Sequence, residues 1–202
     1  IPAEIGNWEE LKHLYLWKNQ FSGSIPPSIG ELRNLTELSL GENRLSGELP
    51  KELGQLENLV RVYLNNNMFS GRLPAEITRM RSLNFLNLQN NCLAGNLPDE
   101  IGDWESLVEL YLANNEITGT LPASIGKMKR LKILDVFGNR MSGVLPPELC
   151  ELVQLNYLNL RNNRFSGALP AEIGKMTELS SLDLTSNKFS GPLPKEIGQL
   201  TR

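Results

Sequence analysis

The feature that most constrains this chain is a period. Asparagine recurs at Asn19, Asn43, Asn67, Asn91, Asn115, Asn139, Asn163 and Asn187, each 24 residues after the last. Gly23 to Gly191 and Pro26 to Pro194 keep the same register. Unbroken self-similarity at this spacing defines a repeat protein, in which each unit is one turn of chain and only stacking on its neighbours buries the apolar face.

The pattern within a unit predicts its local structure. Alternation at Leu14 and Leu16 gives a short strand with one buried face, and strands stacked turn on turn form a parallel sheet with about 4.8 Å between coils. The asparagine at the strand end points into the core, where an amide needs paired donors and acceptors. Its expected partners are backbone groups of adjacent coils. The segment IPxxIG predicts a brief helical turn that closes at Gly, the residue tolerant of positive φ.

Aligned, the unit reads IPxxIGxLxxLxxLxLxxNxFSGx. Its LxxLxLxxN part resembles the leucine-rich repeat, and the following SGxLP resembles the plant-specific class of receptor-like kinase ectodomains, receptor-like proteins and polygalacturonase-inhibiting proteins. The resemblance covers the whole chain. It implies an α/β solenoid: a right-handed superhelix of 24-residue coils with a parallel concave sheet, short second strands, and short helical or 3-10 turns on the convex side. Residues 1–202 are then one domain of eight units plus a partial ninth, expected to be a segment of a longer protein. A protein or peptide ligand on the concave sheet, a co-receptor as a further partner, and no cofactor are what the resemblance implies for function.

Register sorts the large side chains. Phe21 shares a row with Leu45, Phe69, Leu93, Ile117, Met141, Phe165 and Phe189, all apolar, and is expected in the core. Trp8 and Trp104 share another apolar row with Leu32, Leu56, Met80, Met128, Leu152 and Met176, which predicts buried tryptophans. Trp17 falls instead with Gly41, Asn65, Gln89, Ala113, Phe137, Arg161 and Thr185, a mostly polar row that faces solvent, and is the one tryptophan assigned outside the core.

Two more rows complete the exposed sheet face. One runs Tyr15, Ser39, Tyr63, Asn87, Tyr111, Asp135, Asn159, Asp183; the other runs His13, Glu37, Arg61, Phe85, Glu109, Ile133, Tyr157, Ser181. All four tyrosines therefore lie on this face. Tyr, Trp and Arg are the residue types that anchor interfaces, so the candidate ligand-binding residues are Tyr15, Trp17, Arg61, Tyr63, Phe85, Tyr111, Asp135, Phe137, Tyr157 and Arg161. The competing reading is that aromatics favour strands and pack across coils. Tyrosine dominates the first five units and Asp/Asn the last three, so the two ends face chemically different parts of a ligand.

Other functions find no support in the residues. The lone His13 has no cysteine or acidic partner in register for a zinc site or a catalytic triad. Asp135 and Asp183 stand two coils apart, on the order of 10 Å, too far to share one metal. A formal net charge of −3 with scattered basic residues leaves no electrostatic footprint for nucleic acid. Arg79 and Arg81 resemble the Arg-x-Arg pair with which some plant peptide receptors hold a ligand carboxylate, but they flank Met80 of the core row on the convex side, so that role does not carry over. No apolar run reaches membrane-spanning length, and no catalytic constellation is present.

Cys92 and Cys150 occupy different points of the cross-section two units apart, beyond disulfide reach. Asn34-Leu35-Thr36 is the one clear glycosylation acceptor. The resemblance favours a cell-surface or extracellular location, with a cytoplasmic one as the alternative. A secreted hydrolase inhibitor and an intracellular scaffold or effector segment stay open as alternative functions.

Overall fold

The computed structural model describes residues 1–200 and 202. Eight short strands, His13–Tyr15, Glu37–Ser39, Arg61–Tyr63, Phe85–Asn87, Glu109–Tyr111, Ile133–Asp135, Tyr157–Asn159 and Ser181–Asp183, form one sheet in chain order. All neighbours are parallel, and equivalent residues pair coil on coil, as Leu38 with Val62 and Val62 with Leu86. The coils that begin at Ile1, Ile25, Leu49, Leu73, Leu97, Leu121, Leu145 and Leu169 are numbered 1 to 8. This is the expected α/β solenoid.

The SGxLP segments contribute short second strands, five in one sheet across coils 1 to 5 and three in another across coils 6 to 8. On the convex side every coil turns through a five-residue 3-10 helix, from Ala3–Asn7 to Lys195–Gln199. Each helix is preceded by a proline with φ between −64° and −74°, a value its ring imposes in any conformation. The proline carbonyl then accepts the first helical bond, as in Ile29 N–H to Pro26 at 3.0 Å.

The glycine of IPxxIG acts differently from the expectation. These glycines do not adopt positive φ; the left-handed glycines are those three residues before each repeat proline, such as Gly47 at 82°, and Gly138 at a strand end, at 66°. Close approach is the reason for the first set. A Cβ on Gly54 would lie 2.0 Å from the Glu76 carbonyl oxygen, and one on Gly102 2.3 Å from that of Ser124. The convex helices therefore pack backbone to backbone, which only Gly permits at full approach.

Between sheet and helices, the apolar rows form one continuous core in which Leu38, Leu86, Leu110, Leu134 and Leu158 are essentially inaccessible. The asparagine row closes it. Asn115 donates through Nδ2 to the carbonyls of Leu88, Leu112 and Ala113 at 3.0, 3.1 and 3.3 Å, and its Oδ1 accepts the Leu93 N–H at 3.0 Å. Asn67, Asn91, Asn139 and Asn163 repeat this pattern. Each amide thus binds its own coil to the preceding one, as expected from the cost of burying it unpaired.

The first coil departs from the predicted core. Trp104, between coils 4 and 6, is 0% exposed and donates from Nε1 to the Ile77 carbonyl at 3.1 Å. Trp8 of the same row is 57% exposed, and Phe21 is 43% exposed. Both expected burials fail for one reason: a row position is buried only when a coil lies on each side, and no described coil covers the outer face of coil 1. Trp8, and not Trp17 alone, is therefore an exposed tryptophan.

Candidate concave binding site

The strands alternate outward and inward residues, so three rows of side chains project from the sheet. At their centre Tyr63, Phe85 and Tyr111 come from coils 3, 4 and 5. The Tyr63 and Phe85 rings lie 4.6 Å apart with planes at 34°, and Phe85 and Tyr111 lie 5.6 Å apart at 47°. These offset, tilted arrangements are the favourable ones for ring quadrupoles. All three are half-buried, with part of each ring left facing solvent. Arg61 borders this platform, exposed and with no ion pair among the described residues.

Carboxylates pin two of the tyrosines. Tyr111 donates to Glu109 at 2.8 Å within its strand, and Tyr15 donates to Glu37 of the next coil at 3.0 Å. Burial, followed by the Glu109 hydrogen bond, raises the Tyr111 phenol above its ordinary range, and the Glu37 bond is the leading cause of a rise for Tyr15. Both hydroxyls stay protonated donors at any physiological pH. Sequence reasoning did not single out Glu37 and Glu109; their signal was an acid in the row beside each tyrosine.

The Asp/Asn strip is partly committed to the chain itself. Asp135, Asn159 and Asp183 accept the backbone N–H two residues on, from Phe137, Arg161 and Thr185, at 3.0, 3.1 and 2.9 Å. Asn87 does the same for Gln89 at 3.1 Å. This is the Asx turn, in which a short side chain substitutes for a backbone acceptor. Burial raises the Asp135 carboxyl, whereas hydrogen bonds from the Thr185 side chain and backbone lower that of Asp183.

The remaining candidates fall into two outlying groups. Toward coil 8, the Arg161 guanidinium stands 5.8 Å from the Phe137 ring centre, a cation–π contact across coils, and Tyr157 accepts from Asn159 at 3.3 Å. Toward coil 1, Trp17 is 46% exposed, with Lys18 Nζ 5.4 Å from its ring centre. The row it belongs to is less uniformly exposed than its polarity implied: Gly41, Asn65 and Ala113 are buried. Trp17 and Asn65 close over Gly41, where a Cβ would meet Trp17 Cδ1 at 3.1 Å and Asn65 Oδ1 at 2.8 Å. Coil 2, with Ser39 and Gly41, thus separates Tyr15 and Trp17 from the central platform.

Away from the sheet, Asn34 is exposed and its Nδ2 donates to the Glu9 carbonyl at 3.0 Å. Cys92 is exposed and Cys150 buried, both free thiols. Among the described residues no group of three or more His, Cys, Asp or Glu could hold a metal, and no helix is long and apolar enough to cross a membrane. Arg79 ends a convex helix, in agreement with its exclusion from the ligand face.

The leucine rich repeat family matches residues 9–69, and further repeats match at 82–104, 106–128, 130–152, 154–176 and 178–200. The chain belongs to the leucine-rich-repeat family. Among solved structures, this leucine-rich-repeat domain is similar to the plant peptide hormone receptor RGFR1 in complex with RGF2, at 36% identity and a TM-score of 0.97 over 99% of the chain. It is also similar to the Arabidopsis receptor kinase HAESA in complex with the peptide hormone IDA and the co-receptor SERK1, at 38% identity and a TM-score of 0.96 over 100% of the chain. The domain spans 32% and 34% of those receptor chains, about a third of their length. A leucine-rich-repeat protein of Leptospira interrogans matches at 37% identity and a TM-score of 0.84, covering 100% of this chain and 50% of that one. No curated protein sequence matches the chain. Family and relatives together make this a leucine-rich-repeat domain of the plant type.

Proposed function

We propose that the domain is the recognition part of a cell-surface receptor and that it binds a peptide or protein ligand on its concave sheet. The observation that carries this is the Tyr63, Phe85 and Tyr111 platform: three rings from successive coils, in mutual contact and still open to solvent. Interface hot spots are rich in Tyr, Trp and Arg and sit centrally. Receptors of similar structure hold peptide hormones, one together with a co-receptor; we extend both partner classes, and an extracellular location, to this chain. Arg61 pairs with a ligand carboxylate, while Tyr15 and Trp17 at one end and Tyr157, Phe137, Asp135 and Arg161 at the other provide outer contacts.

The test is a binding titration with the ligand recovered by pull-down. Tyr63→Ala or Tyr111→Ala should each weaken binding at least about thirtyfold, the equivalent of roughly 2 kcal/mol at a hot spot. Lys127→Ala and Lys175→Ala, on the exposed convex side, should leave it unchanged. Convex lysines that matter, with sheet tyrosines that do not, would show the aromatics to be cross-coil packing only.

A further inference from the structure

We infer that the ligand segment seated on Tyr63, Phe85 and Tyr111 is a proline-rich stretch in the polyproline II conformation, with an acidic and a basic residue three positions apart. The inference rests on the concave-face reading and adds the ligand's chemistry to it.

Spacing is the first argument. Tyr63 and Tyr111 occupy the same row two coils apart, each in register with Asn87 between them. Two strand spacings come to about 9.6 Å. A polyproline II helix repeats its face every three residues with a rise of about 3.1 Å per residue, about 9.3 Å in all. A β-strand repeats its face every two residues, at about 6.7 Å, and fits neither one coil nor two. The three rings, 4.6 and 5.6 Å apart between centroids, together offer a half-buried apolar surface against which a pyrrolidine ring can pack.

Hydrogen-bonding capacity is the second. Proline offers carbonyl acceptors and no N–H, and a polyproline II backbone makes no internal hydrogen bonds, so its receptor needs donors. Between the two tyrosines Asn87 uses Oδ1 on the Gln89 N–H and leaves Nδ2 without a partner among the described residues. The Tyr63 hydroxyl is likewise uncommitted, unlike those of Tyr15 and Tyr111.

Charge gives the third argument and sets direction. In the row beside the tyrosines, Arg61, Phe85 and Glu109 are in register on coils 3, 4 and 5. A cation therefore stands next to Tyr63 and a carboxylate next to Tyr111, again two coils apart. Residues i and i+3 of a polyproline II helix share one face, so the acidic residue meets Arg61 and the basic one Glu109.

The experiment is selection of a phage-displayed random dodecapeptide library on the 202-residue chain, with parallel selection on a Tyr63→Ala/Tyr111→Ala variant. Its melting curve confirms folding, and a Tyr63→Phe/Tyr111→Phe variant keeps the rings. Expected are peptides with paired prolines framed by an acid and a base, retained by the Phe variant and bound at least thirtyfold more weakly by the Ala variant. Swapping the two peptide charges should weaken binding at least fivefold, and Arg61→Glu/Glu109→Arg should restore it. Tyrosine-dependent peptides without proline would overturn the polyproline inference and leave the concave-face reading standing. Peptides indifferent to both tyrosines would overturn the two together. A selection that enriches nothing would also sink the inference, since the platform would then hold no short extended peptide.

Discussion

Tyr63 and Phe85 come from neighbouring coils, and their rings meet with centroids 4.6 Å apart. That contact joins the two readings that the sequence left in opposition. The rings pack across coils and so add to the solenoid's cohesion, yet each stays half-buried with a free side toward the concave solvent. A surface that is already assembled before the ligand arrives loses little side-chain freedom on binding, which is where much affinity is otherwise lost.

The asparagine row should dominate stability. Replacing Asn115 by Leu leaves the Leu88, Leu112 and Ala113 carbonyls without this donor and the Leu93 N–H without its acceptor inside the core. A loss of roughly 1 to 3 kcal/mol is expected for such unsatisfied groups. Trp17→Ala, at a side chain 46% exposed, should cost far less. Urea unfolding of both variants decides it, and equal losses would place Trp17 among the structural residues.

Glycine at one repeat position should show opposite behaviour at two coils. Gly54→Ala forces a Cβ to 2.0 Å from the Glu76 carbonyl and should destabilise by about 1 to 3 kcal/mol, as overpacking does. At Gly198 nothing lies within 4 Å among the described residues and φ is not positive, so Gly198→Ala should be neutral or stabilise by up to about 1 kcal/mol through the unfolded chain. Melting temperatures that fell equally would rule out close coil approach as the reason for the row.

The thiols should differ sharply. Burial pushes the Cys150 thiol up to about 11, and Cys92 is exposed. Intact mass after maleimide treatment at neutral pH should show one addition, at Cys92, rising to two in denaturant. A two-hydrogen gain on reduction, mapped to a Cys92–Cys150 peptide, would contradict the placement of both.

Asp135 and Asp183 share a row and should respond to pH with opposite signs. The folded state raises the Asp135 pKa, so ionisation costs stability above the unfolded pKa and protonation relieves it. Asp135→Asn should therefore raise the urea midpoint at pH 7, with the gain shrinking as pH falls through the carboxylate range. The Asp183 pKa is lowered, so its contribution is present at neutral pH and is lost as pH falls through the depressed folded value. Asp183→Asn should lower the midpoint slightly at pH 7 and leave it unchanged in strong acid. Midpoints of both variants at pH 7 and pH 3 check the signs.

The fold was legible because the period fixes register, and register fixes which side chains meet. That logic holds where a coil has two neighbours, as at Trp104, and fails at Trp8, where the same repeat position meets solvent. The glycines of IPxxIG were misread because glycine has two uses, left-handed backbone and close approach, and sequence cannot separate them without knowing what lies opposite. For Asp135 and Asp183 the row says only that they face outward. Their bonds to the N–H two residues on come from the local strand-end turn, whose outcome depends on backbone geometry the pattern does not encode.

The platform itself yields the last prediction, which separates cohesion from recognition. If the Tyr63 and Phe85 rings support each other, a double-mutant cycle of Tyr63→Ala and Phe85→Ala on unfolding free energy should give a coupling of about 0.5 to 1.5 kcal/mol, the range for tilted aromatic pairs. The same cycle on Tyr63 and Tyr157, which have no ring contact and lie four coils apart, should give a coupling near zero. Tyr63→Phe removes only the hydroxyl, which has no hydrogen-bond partner among the described residues, so it should leave stability unchanged. Its effect on ligand affinity then reports the hydroxyl as a donor to the ligand alone. Coupling of the same size for the distant pair would mean that the truncations loosen the whole sheet, and losses of binding at Tyr63 would no longer identify a contact.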